Sequence, residues 1–156
     1  MRCNKRIALK FKAGYIKQFW KDKQVASIVP SSKFSVQYLK KKINFEKANV
    51  IIEYGPGNGV FSEMIRSNMN HQARLILFET NPGFVKILKE QFKKDDRVIV
   101  VKESALNVKQ VMRKLNLKEA DYVITGIPFT FLKPKQRIEL VKSSHRVLRK
   151  GGHFIS

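Results

Sequence analysis

The feature that most constrains the fold is a glycine-rich segment that joins an apolar run to a helical pattern. The apolar residues 50–52 lead directly into Glu53. Three glycines then follow at alternate positions, namely Gly55, Gly57 and Gly59. A second apolar run over residues 75–78 ends at Glu79, twenty residues after the last of these glycines. This order of strand, glycine turn, helix, strand and acid predicts a Rossmann-like βαβ unit, in which the glycine backbone approaches a ligand closely.

The two acids indicate which kind of ligand this turn would hold. A dinucleotide site has the spacing Gly-x-Gly-x-x-Gly and holds a pyrophosphate at the start of the helix. Here the glycines are more closely spaced, and Glu53 would repel an anion but attract a cationic amino group. Glu79 stands where a carboxylate accepts hydrogen bonds from the two hydroxyls of a ribose. The alternative is that the glycines form only a tight connection between strand and helix.

Strand and helix patterns alternate along the rest of the chain. We predict helices at 34–43, 60–67, 82–92, 108–115 and 134–148. We predict strands at 49–54, 74–79, 97–102, 120–125 and 153–156, with a turn at 150–152 before the last. This alternation predicts an α/β fold: a Rossmann-like, mostly parallel sheet with helices on both faces, truncated at the fifth strand. A ligand then binds at the carboxyl ends of the strands.

The charge of the chain is strongly positive and unevenly distributed. The net charge is +20, and residues 1–47 contribute +11 of it, from 13 Lys and Arg against two acids. Such a surface attracts phosphate-rich partners, either nucleic acid or an anionic membrane. Within this part, residues 1–24 predict a basic amphipathic helix whose apolar positions include Phe11, Tyr15 and Phe19. This helix either lies in a membrane interface or packs on the domain with its lysines solvated.

The composition excludes several classes of protein. The single cysteine, Cys3, excludes a disulfide framework and fits a reducing cytoplasm. No apolar run approaches the roughly 20 residues that span a bilayer. The basic N-terminus lacks the apolar stretch of a secretory signal, so we expect a cytoplasmic protein.

Two further segments carry a resemblance to a known family. Residues 27–32 read Ser-Ile-Val-Pro-Ser-Ser, and residues 126–129 read Gly-Ile-Pro-Phe after the fourth predicted strand. Together with Glu53 and the glycine turn, and with Phe-Trp-Lys-Asp at 19–22, they resemble the bacterial phospholipid N-methyltransferases of the rRNA-adenine-dimethylase-like type. The rRNA adenine dimethylases themselves carry Asn or Asp where this chain has Gly126, and they use its side-chain carbonyl to hold an exocyclic amine.

The resemblance implies a cofactor, a substrate and a set of site residues. The cofactor is S-adenosyl-L-methionine, which leaves as S-adenosyl-L-homocysteine, and no metal is implied. The residues implied to bind it are Glu53, Gly55, Gly57, Gly59, Glu79, Asn81, Ser104, Ala105, Ser31 and Ser32. The residues implied at the methyl acceptor are Gly126, Ile127, Pro128, Phe129 and Tyr15. The acceptor is the amine of phosphatidylethanolamine, at the inner face of the membrane, where the protein would be peripheral.

The resemblance also implies a division of the chain. Residues 1–47 form the amphipathic helix and a segment that covers the cofactor, and residues 48–156 form the Rossmann-like domain. Class I methyltransferases have seven strands, so we expect this chain to be a fragment or to have its sheet completed by something else, such as a second copy. Two alternatives remain at this stage: an rRNA adenine N-methyltransferase, supported by the net charge, and a non-catalytic module that binds cofactor or lipid.

Overall fold

The structure is a computed structural model that describes residues 33–156. The predicted N-terminal helix, Tyr15, Ser31 and Ser32 lie outside these described residues. The helices are α1 Lys33–Lys42, α2 Val60–Asn68, α3 Pro82–Phe92, α4 Val108–Lys114 and α5 Pro134–Val147. The strands are β1 Val50–Tyr54, β2 Arg74–Glu79, β3 Val98–Lys102, β4 Ala120–Thr125 and β5 Leu148–Ile155. Short 3₁₀ turns at Ala105–Asn107 and Phe129–Phe131 follow β3 and β4.

The five strands form one parallel sheet in the order β3-β2-β1-β4-β5. The chain moves outward from β1 to β2 and β3, then returns to the other side of β1 with β4 and β5. The switch in direction therefore lies between β1 and β4, which is where ligands bind in open α/β sheets. Glu53 stands opposite Leu77 of β2 and Ile124 of β4, so the sequence-predicted acid lies at this switch point.

Helices cover both faces of the sheet, and each face has its own core. Because successive strand residues point to opposite faces, β1 contributes Ile51 to one core and Ile52 to the other. The first core includes Leu39, Ile65 and Leu88 from α1, α2 and α3. The second includes buried residues of α4 and α5, among them Val108, Met112, Leu140 and Val147. The predicted α/β fold class is confirmed.

The N-terminus of α3 is formed by the cap residue and the proline that the sequence predicts there. The Asn81 side-chain oxygen accepts hydrogen bonds from the backbone N–H groups of Gly83, at 2.8 Å, and Phe84, at 3.3 Å. Pro82 occupies the first turn, where its missing N–H costs no helical hydrogen bond. The chain direction after β2 is thus fixed by the predicted cap and proline.

The prediction of a turn at 150–152 before a strand at 153–156 was wrong. β5 is continuous over Leu148–Ile155, and its register against β4 shifts: Leu148 pairs with Ala120, whereas His153 pairs with Tyr122. The extra residues form an irregularity within the strand, and Gly151, with a φ of 76°, supplies the left-handed conformation that it requires. The paired glycines therefore bend the strand and do not end it.

Asp121 holds three elements together at the amino edge of the sheet. Its Oδ2 accepts hydrogen bonds from the backbone N–H groups of Asn49, at 2.7 Å, and Val50, at 2.9 Å. Its Oδ1 accepts one from Arg149 Nε at 2.5 Å. The start of β1 and the start of β5 are both attached to β4 through this carboxylate.

In the part of the chain that the structure describes, no helix is long and apolar enough to cross a membrane.

Candidate functional site

The glycine turn after β1 is packed against the loop that follows β4. Gly55, Gly57 and Gly59 have φ values of 64°, 56° and 79°, which residues with a Cβ rarely adopt. A Cβ added at Gly55 would lie 2.8 Å from Cγ1 of Ile127. Glycine is therefore required here both by the backbone angle and by the approach of the second loop.

The Glu79 carboxylate is fixed by the backbone at the end of β2. Its Oε2 accepts a hydrogen bond from the Gly57 N–H at 3.2 Å, and its Oε1 accepts one from the Asn81 N–H at 2.8 Å. Glu79 is buried, with 7% of its surface exposed. Because each carboxylate oxygen offers two lone pairs, Glu79 keeps acceptor capacity for a pair of ligand hydroxyls.

Glu53 is more deeply buried than Glu79, at 1% exposure. Its Oε2 accepts a hydrogen bond of 2.6 Å from the hydroxyl of Ser62, on the inner side of α2. Burial raises the pKa of Glu53 to about 7, the Ser62 hydrogen bond opposes the rise, and the charge of Glu79 adds to it. A carboxylate in this setting is stabilised by a positively charged ligand, which fits the predicted amino group.

A third polar cluster follows β3. Oε1 of Glu103 accepts hydrogen bonds from Asn107 Nδ2, at 2.9 Å, and from the Ser104 N–H, at 2.8 Å. These two hydrogen bonds, that from Asn107 first, lower the pKa of Glu103. The Ser104 hydroxyl oxygen in turn accepts a hydrogen bond from the Leu106 N–H at 3.3 Å and caps the 3₁₀ turn, in which Ala105 is buried. The cluster presents an ionised acid at the outer end of the carboxyl edge.

The loop after β4 begins in close contact with β1. The Gly126 N–H donates to the Tyr54 carbonyl at 2.8 Å, which extends the β1–β4 contact by one hydrogen bond. A Cβ added at Gly126 would lie 2.8 Å from the backbone oxygen of Gly55, and a backbone atom has little freedom to move away. Position 126 therefore accepts no side chain in this conformation. This chain has Gly where the rRNA adenine dimethylases carry Asn or Asp. The close approach of the Gly55 oxygen gives a steric reason for that difference.

Aromatic and apolar side chains complete the β4 side of the site. The Phe129 ring packs edge to face against Phe154 of β5, with ring centroids 6.4 Å apart. A cavity of about 580 Å³ opens beside the end of β4, lined in part by Tyr38, Phe61 and Ile124. This cavity reaches Thr125, the residue before the predicted acceptor loop, and the start of α2, but none of the residues 126–129 lines it.

The structure brings most of the predicted site residues to one edge of the sheet, but not all to one point. Contacts join the glycine turn to Glu79 and to the loop that contains Gly126 and Ile127. Ser104 and Ala105 lie after β3, two strands away from β1. Asn81 uses its side-chain oxygen to cap α3 and its N–H to hold Glu79.

Among residues 33–156, no three His, Cys, Asp or Glu side chains are grouped as metal ligands would be.

Sequence reasoning missed two residues that shape the site. Ser62 is completely buried and holds Glu53, and Asn107 holds Glu103. Ser62 occupies a helical position three residues before Ile65, on the buried face of α2. A serine on the apolar face of a helix directly after a motif with a buried acid is a signal that could have identified this pair.

Comparison with known proteins places this arrangement in a family. Residues 8–130 match the ribosomal RNA adenine dimethylase family. The chain is 30% identical over 131 residues to an ornithine lipid N-methyltransferase of Singulisphaera acidiphila, across 83% of this chain and 68% of that protein.

Solved methyltransferase structures share the fold. The N-methyltransferase NodS from Bradyrhizobium japonicum WM9 superimposes with a TM-score of 0.62 at 15% identity, over 76% of this chain and 62% of that one. Aeropyrum pernix fibrillarin, crystallised with natively bound S-adenosyl-L-methionine, gives a TM-score of 0.60 at 18% identity, over 78% and 51%. This chain spans less than two thirds of either structure.

The predicted class of enzyme and its cofactor are confirmed by these matches, while the acceptor and the roles of individual residues stay predictions. The glycine turn, Glu53 at the switch point and Glu79 at the end of β2 fit S-adenosylmethionine, which presents a ribose and a cationic amino group. The chain belongs to the ribosomal RNA adenine dimethylase family of S-adenosylmethionine-dependent methyltransferases.

Proposed function

We propose that the protein methylates the amine of a membrane lipid, with phosphatidylethanolamine as the acceptor. The observation that carries this proposal is the contact between Gly126 and the glycine turn, where a Cβ would lie 2.8 Å from the Gly55 oxygen. The loop has no room for the side-chain carbonyl that would hold an adenine amine. The ornithine lipid N-methyltransferase among the relatives supports a lipid amine as the acceptor class.

The chemistry of the two acceptors explains why this position matters. The exocyclic amine of adenine shares its lone pair with the ring, so an enzyme has to align it with fixed hydrogen-bond acceptors. A primary alkyl amine is nucleophilic by itself once it has lost a proton, and it requires chiefly proximity and orientation. A loop without a side chain at position 126 is therefore sufficient for a primary alkyl amine. It lacks the hydrogen-bond acceptor that an adenine amine requires.

We assign the cofactor contacts as follows. Glu79 accepts hydrogen bonds from the ribose hydroxyls, Glu53 faces the ammonium of the methionine part, and Ser104 and Ala105 border the adenine. The glycine turn lets the backbone approach the ligand closely. When bound, S-adenosylmethionine supplies a methyl group that an amine displaces from its sulfonium sulfur. Ser31 and Ser32 belong to the segment that we propose covers the cofactor.

The acceptor side of the site supplies apolar and aromatic surface. Ile127, Pro128 and Phe129 line the approach to the reacting methyl group, and Tyr15 comes from the N-terminal helix. An aromatic face stabilises a methylated ammonium by a cation–π interaction of about 0.5–2 kcal/mol, according to how far it is desolvated. The basic helix over residues 1–24 would hold the protein on the anionic inner face of the membrane, at about 1 kcal/mol per lysine near the surface.

Methyl transfer to purified acceptors tests the proposal. The protein is incubated with methyl-labelled S-adenosylmethionine and vesicles of phosphatidylethanolamine, with ribosomal RNA as a parallel acceptor. Vesicles of phosphatidylcholine are the matched control, because their headgroup nitrogen already carries three methyl groups. We expect label in phosphatidylethanolamine alone. Label in RNA would contradict the proposal. Absence of label in both acceptors with cofactor bound would reject phosphatidylethanolamine and indicate another acceptor or a chain that needs further strands for activity.

The rRNA adenine reaction is the second candidate. It is favoured by the name of the family and by the net charge of +20, which attracts any polyanion. The salt dependence of RNA binding does not separate the two candidates, because every strongly basic protein shows it. Incorporation of label into RNA in the same experiment is the discriminating result.

A further inference from the structure

Within residues 33–156, one side chain donates a hydrogen bond to the Glu53 carboxylate. The Ser62 hydroxyl donates to its Oε2 at 2.6 Å, and both residues are buried, at 0% and 1% exposure. The pair joins β1 to α2 at the switch point of the sheet, nine residues apart in the chain. A hydrogen bond of this length to a carboxylate is charge-assisted, so it both orients the acid and favours its ionised form.

No positive charge from the described residues faces this carboxylate. Glu53 stands between Leu77 of β2 and Ile124 of β4 in the sheet. The groups in residues 33–156 that act on its ionisation are the Ser62 hydroxyl, from α2, and the Glu79 carboxylate, from β2. A buried acid without a cationic partner is held at a cost, and a cationic ligand removes that cost. Glu53 is thus prepared for a partner that the described part of the chain does not supply.

We propose that Ser62 is a positioning residue, which keeps Glu53 ionised and aimed at the ammonium group of the cofactor, and that cofactor binding is coupled to the ionisation of Glu53. This inference rests on the proposed contact between Glu53 and the methionine part of S-adenosylmethionine. It adds a residue and a pH dependence that the proposed function does not contain.

The pH dependence follows from the position of the Glu53 pKa, which burial raises to about 7. Above this pH the carboxylate is ionised and attracts the ammonium. Below it the acid is neutral, and affinity for a ligand with an ammonium falls by roughly tenfold for each pH unit. Removal of the Ser62 hydroxyl raises the pKa of Glu53 further, because the lost hydrogen bond favoured the charged form. The loss of affinity then begins at a higher pH.

Two ligands with the same nucleoside separate this effect from a general loss of structure. S-adenosylhomocysteine carries the ammonium, whereas 5′-methylthioadenosine has the same adenine, ribose and sulfur without it. Their affinities are measured by calorimetry between about pH 5.5 and about pH 7.5, a range in which the ammonium of an amino acid stays charged and Glu53 titrates. The variants are Ser62→Ala, Ser62→Thr, which keeps a hydroxyl, and Ser143→Ala.

Ser143→Ala is the matched control for burial. Ser143 is also buried on a helix, but its hydroxyl donates to the Glu139 and Leu140 carbonyls of its own helix, α5. We expect the wild type and Ser143→Ala to bind S-adenosylhomocysteine roughly tenfold more weakly per pH unit below 7, and to bind methylthioadenosine equally across the range. Ser62→Ala should bind S-adenosylhomocysteine about tenfold more weakly than the wild type at pH 7, with methylthioadenosine unchanged, and Ser62→Thr should restore the affinity.

Three results would overturn the inference, and they differ in what else they affect. A pH-independent affinity of the wild type for S-adenosylhomocysteine would reject the coupling and leave the cofactor site intact. Equal weakening of both ligands in Ser62→Ala would show that Ser62 has only a structural role. A wild type that binds neither ligand would reject the proposed cofactor site, and the role of Ser62 with it.

Discussion

At the scale of single residues, the two acids of the site differ because their surroundings differ. Glu79 receives two backbone hydrogen bonds, from Gly57 and Asn81, and these fix a carboxylate that has lone pairs left for ligand hydroxyls. Glu53 receives one hydrogen bond, from Ser62, in an apolar setting that raises its pKa to about 7. The first environment suits a neutral sugar and the second suits a cation, although the two acids have the same side chain.

The role of Glu79 leads to the first prediction. Glu79→Ala should weaken S-adenosylmethionine binding by at least roughly 10- to 100-fold, because the loss of even one hydrogen bond to a charged group costs about 1.5–3 kcal/mol. Calorimetric titration measures the affinity. Glu90→Ala is the control, since Glu90 is an exposed acid on α3 that pairs with Lys93. An affinity equal to that of the wild type would reject the ribose contact.

The contact at Gly126 leads to a prediction about stability. Gly126→Ala introduces a Cβ at 2.8 Å from the Gly55 oxygen and should destabilise the fold by about 1–3 kcal/mol, as overpacking usually does. Urea unfolding measures the change. In Gly83→Ala, a control in the first turn of α3, alanine is the better helix former and stability should be kept or slightly raised. A Gly126→Ala variant as stable as the wild type would remove the steric argument for the lipid acceptor.

Residue-level contacts were only partly predictable from the sequence. The two acids and the glycines were identified because their spacing along the chain is characteristic. The Ser62–Glu53 hydrogen bond and the approach of Gly126 to Gly55 depend on how α2 and the β4 loop pack against β1. Such contacts join residues through the fold, and a single sequence gives no direct signal for their distance.

At the scale of elements, Asp121 determines how β1, β4 and β5 are attached. Burial alone would raise the pKa of Asp121, but the hydrogen bonds from Arg149, Val50 and Asn49 outweigh it and lower the pKa. A lowered carboxyl pKa means that the unfolded state binds more protons than the folded state. The stability that Asp121 contributes is therefore present above its unfolded pKa, about 3.9, and is lost as the pH falls through its folded pKa.

Asp121→Asn tests this attachment. At neutral pH the variant should lose about 1–3 kcal/mol, because the amide cannot accept all three hydrogen bonds and Arg149 loses its ion pair. The difference from the wild type should shrink as the pH falls below about 4. Urea unfolding at several pH values gives both quantities, with Asp96→Asn, a change of an exposed aspartate, as control. A difference that does not depend on pH would reject the ionic role of Asp121.

The N-terminal helix predicted over residues 1–24 carries the membrane part of the account. Replacement of Phe11 and Phe19 by Asp should weaken binding to anionic vesicles more than tenfold, since burial of each ring contributes about 1.5–3 kcal/mol. Ala13→Asp with Gln24→Asp makes the same charge change on the opposite face of the predicted helix and is the control. Co-sedimentation with vesicles measures binding. If the Phe variant binds as well as its control, the apolar stripe packs against the protein and does not enter the membrane.

Most elements between residues 33 and 156 were predicted within one or two positions, and β5 shows why one was not. Hydrophobic periodicity and the Asn81–Pro82 cap locate helices and central strands, because these signals are local. Gly151 and Gly152 were interpreted as a turn, which is their usual meaning. Their place inside β5 is seen only in the pairing of that strand with β4 on both sides of them, which is a long-range contact.

At the scale of the whole molecule, the fold and the family agree, and the acceptor that we propose rests on a small local difference at Gly126. The parallel order β3-β2-β1-β4-β5 puts every predicted cofactor residue from β1, β2 and β3 at one edge of the sheet. NodS and fibrillarin have the same fold at only 15% and 18% identity to this chain. Function depends on the site and not on the fold, so fold alone does not select the acceptor. We propose that the selection lies in the loop after β4 and in the strongly basic residues 1–47.

The central claim is that this carboxyl edge holds S-adenosylmethionine through Glu53 and Glu79. A crystal structure of the protein with S-adenosylhomocysteine bound tests it most directly. We predict ribose hydroxyls within about 3 Å of the Glu79 carboxylate oxygens, the ammonium beside Glu53 and the adenine beside Ser104. A ligand bound at another part of the sheet, or a ribose turned away from Glu79, would contradict the claim.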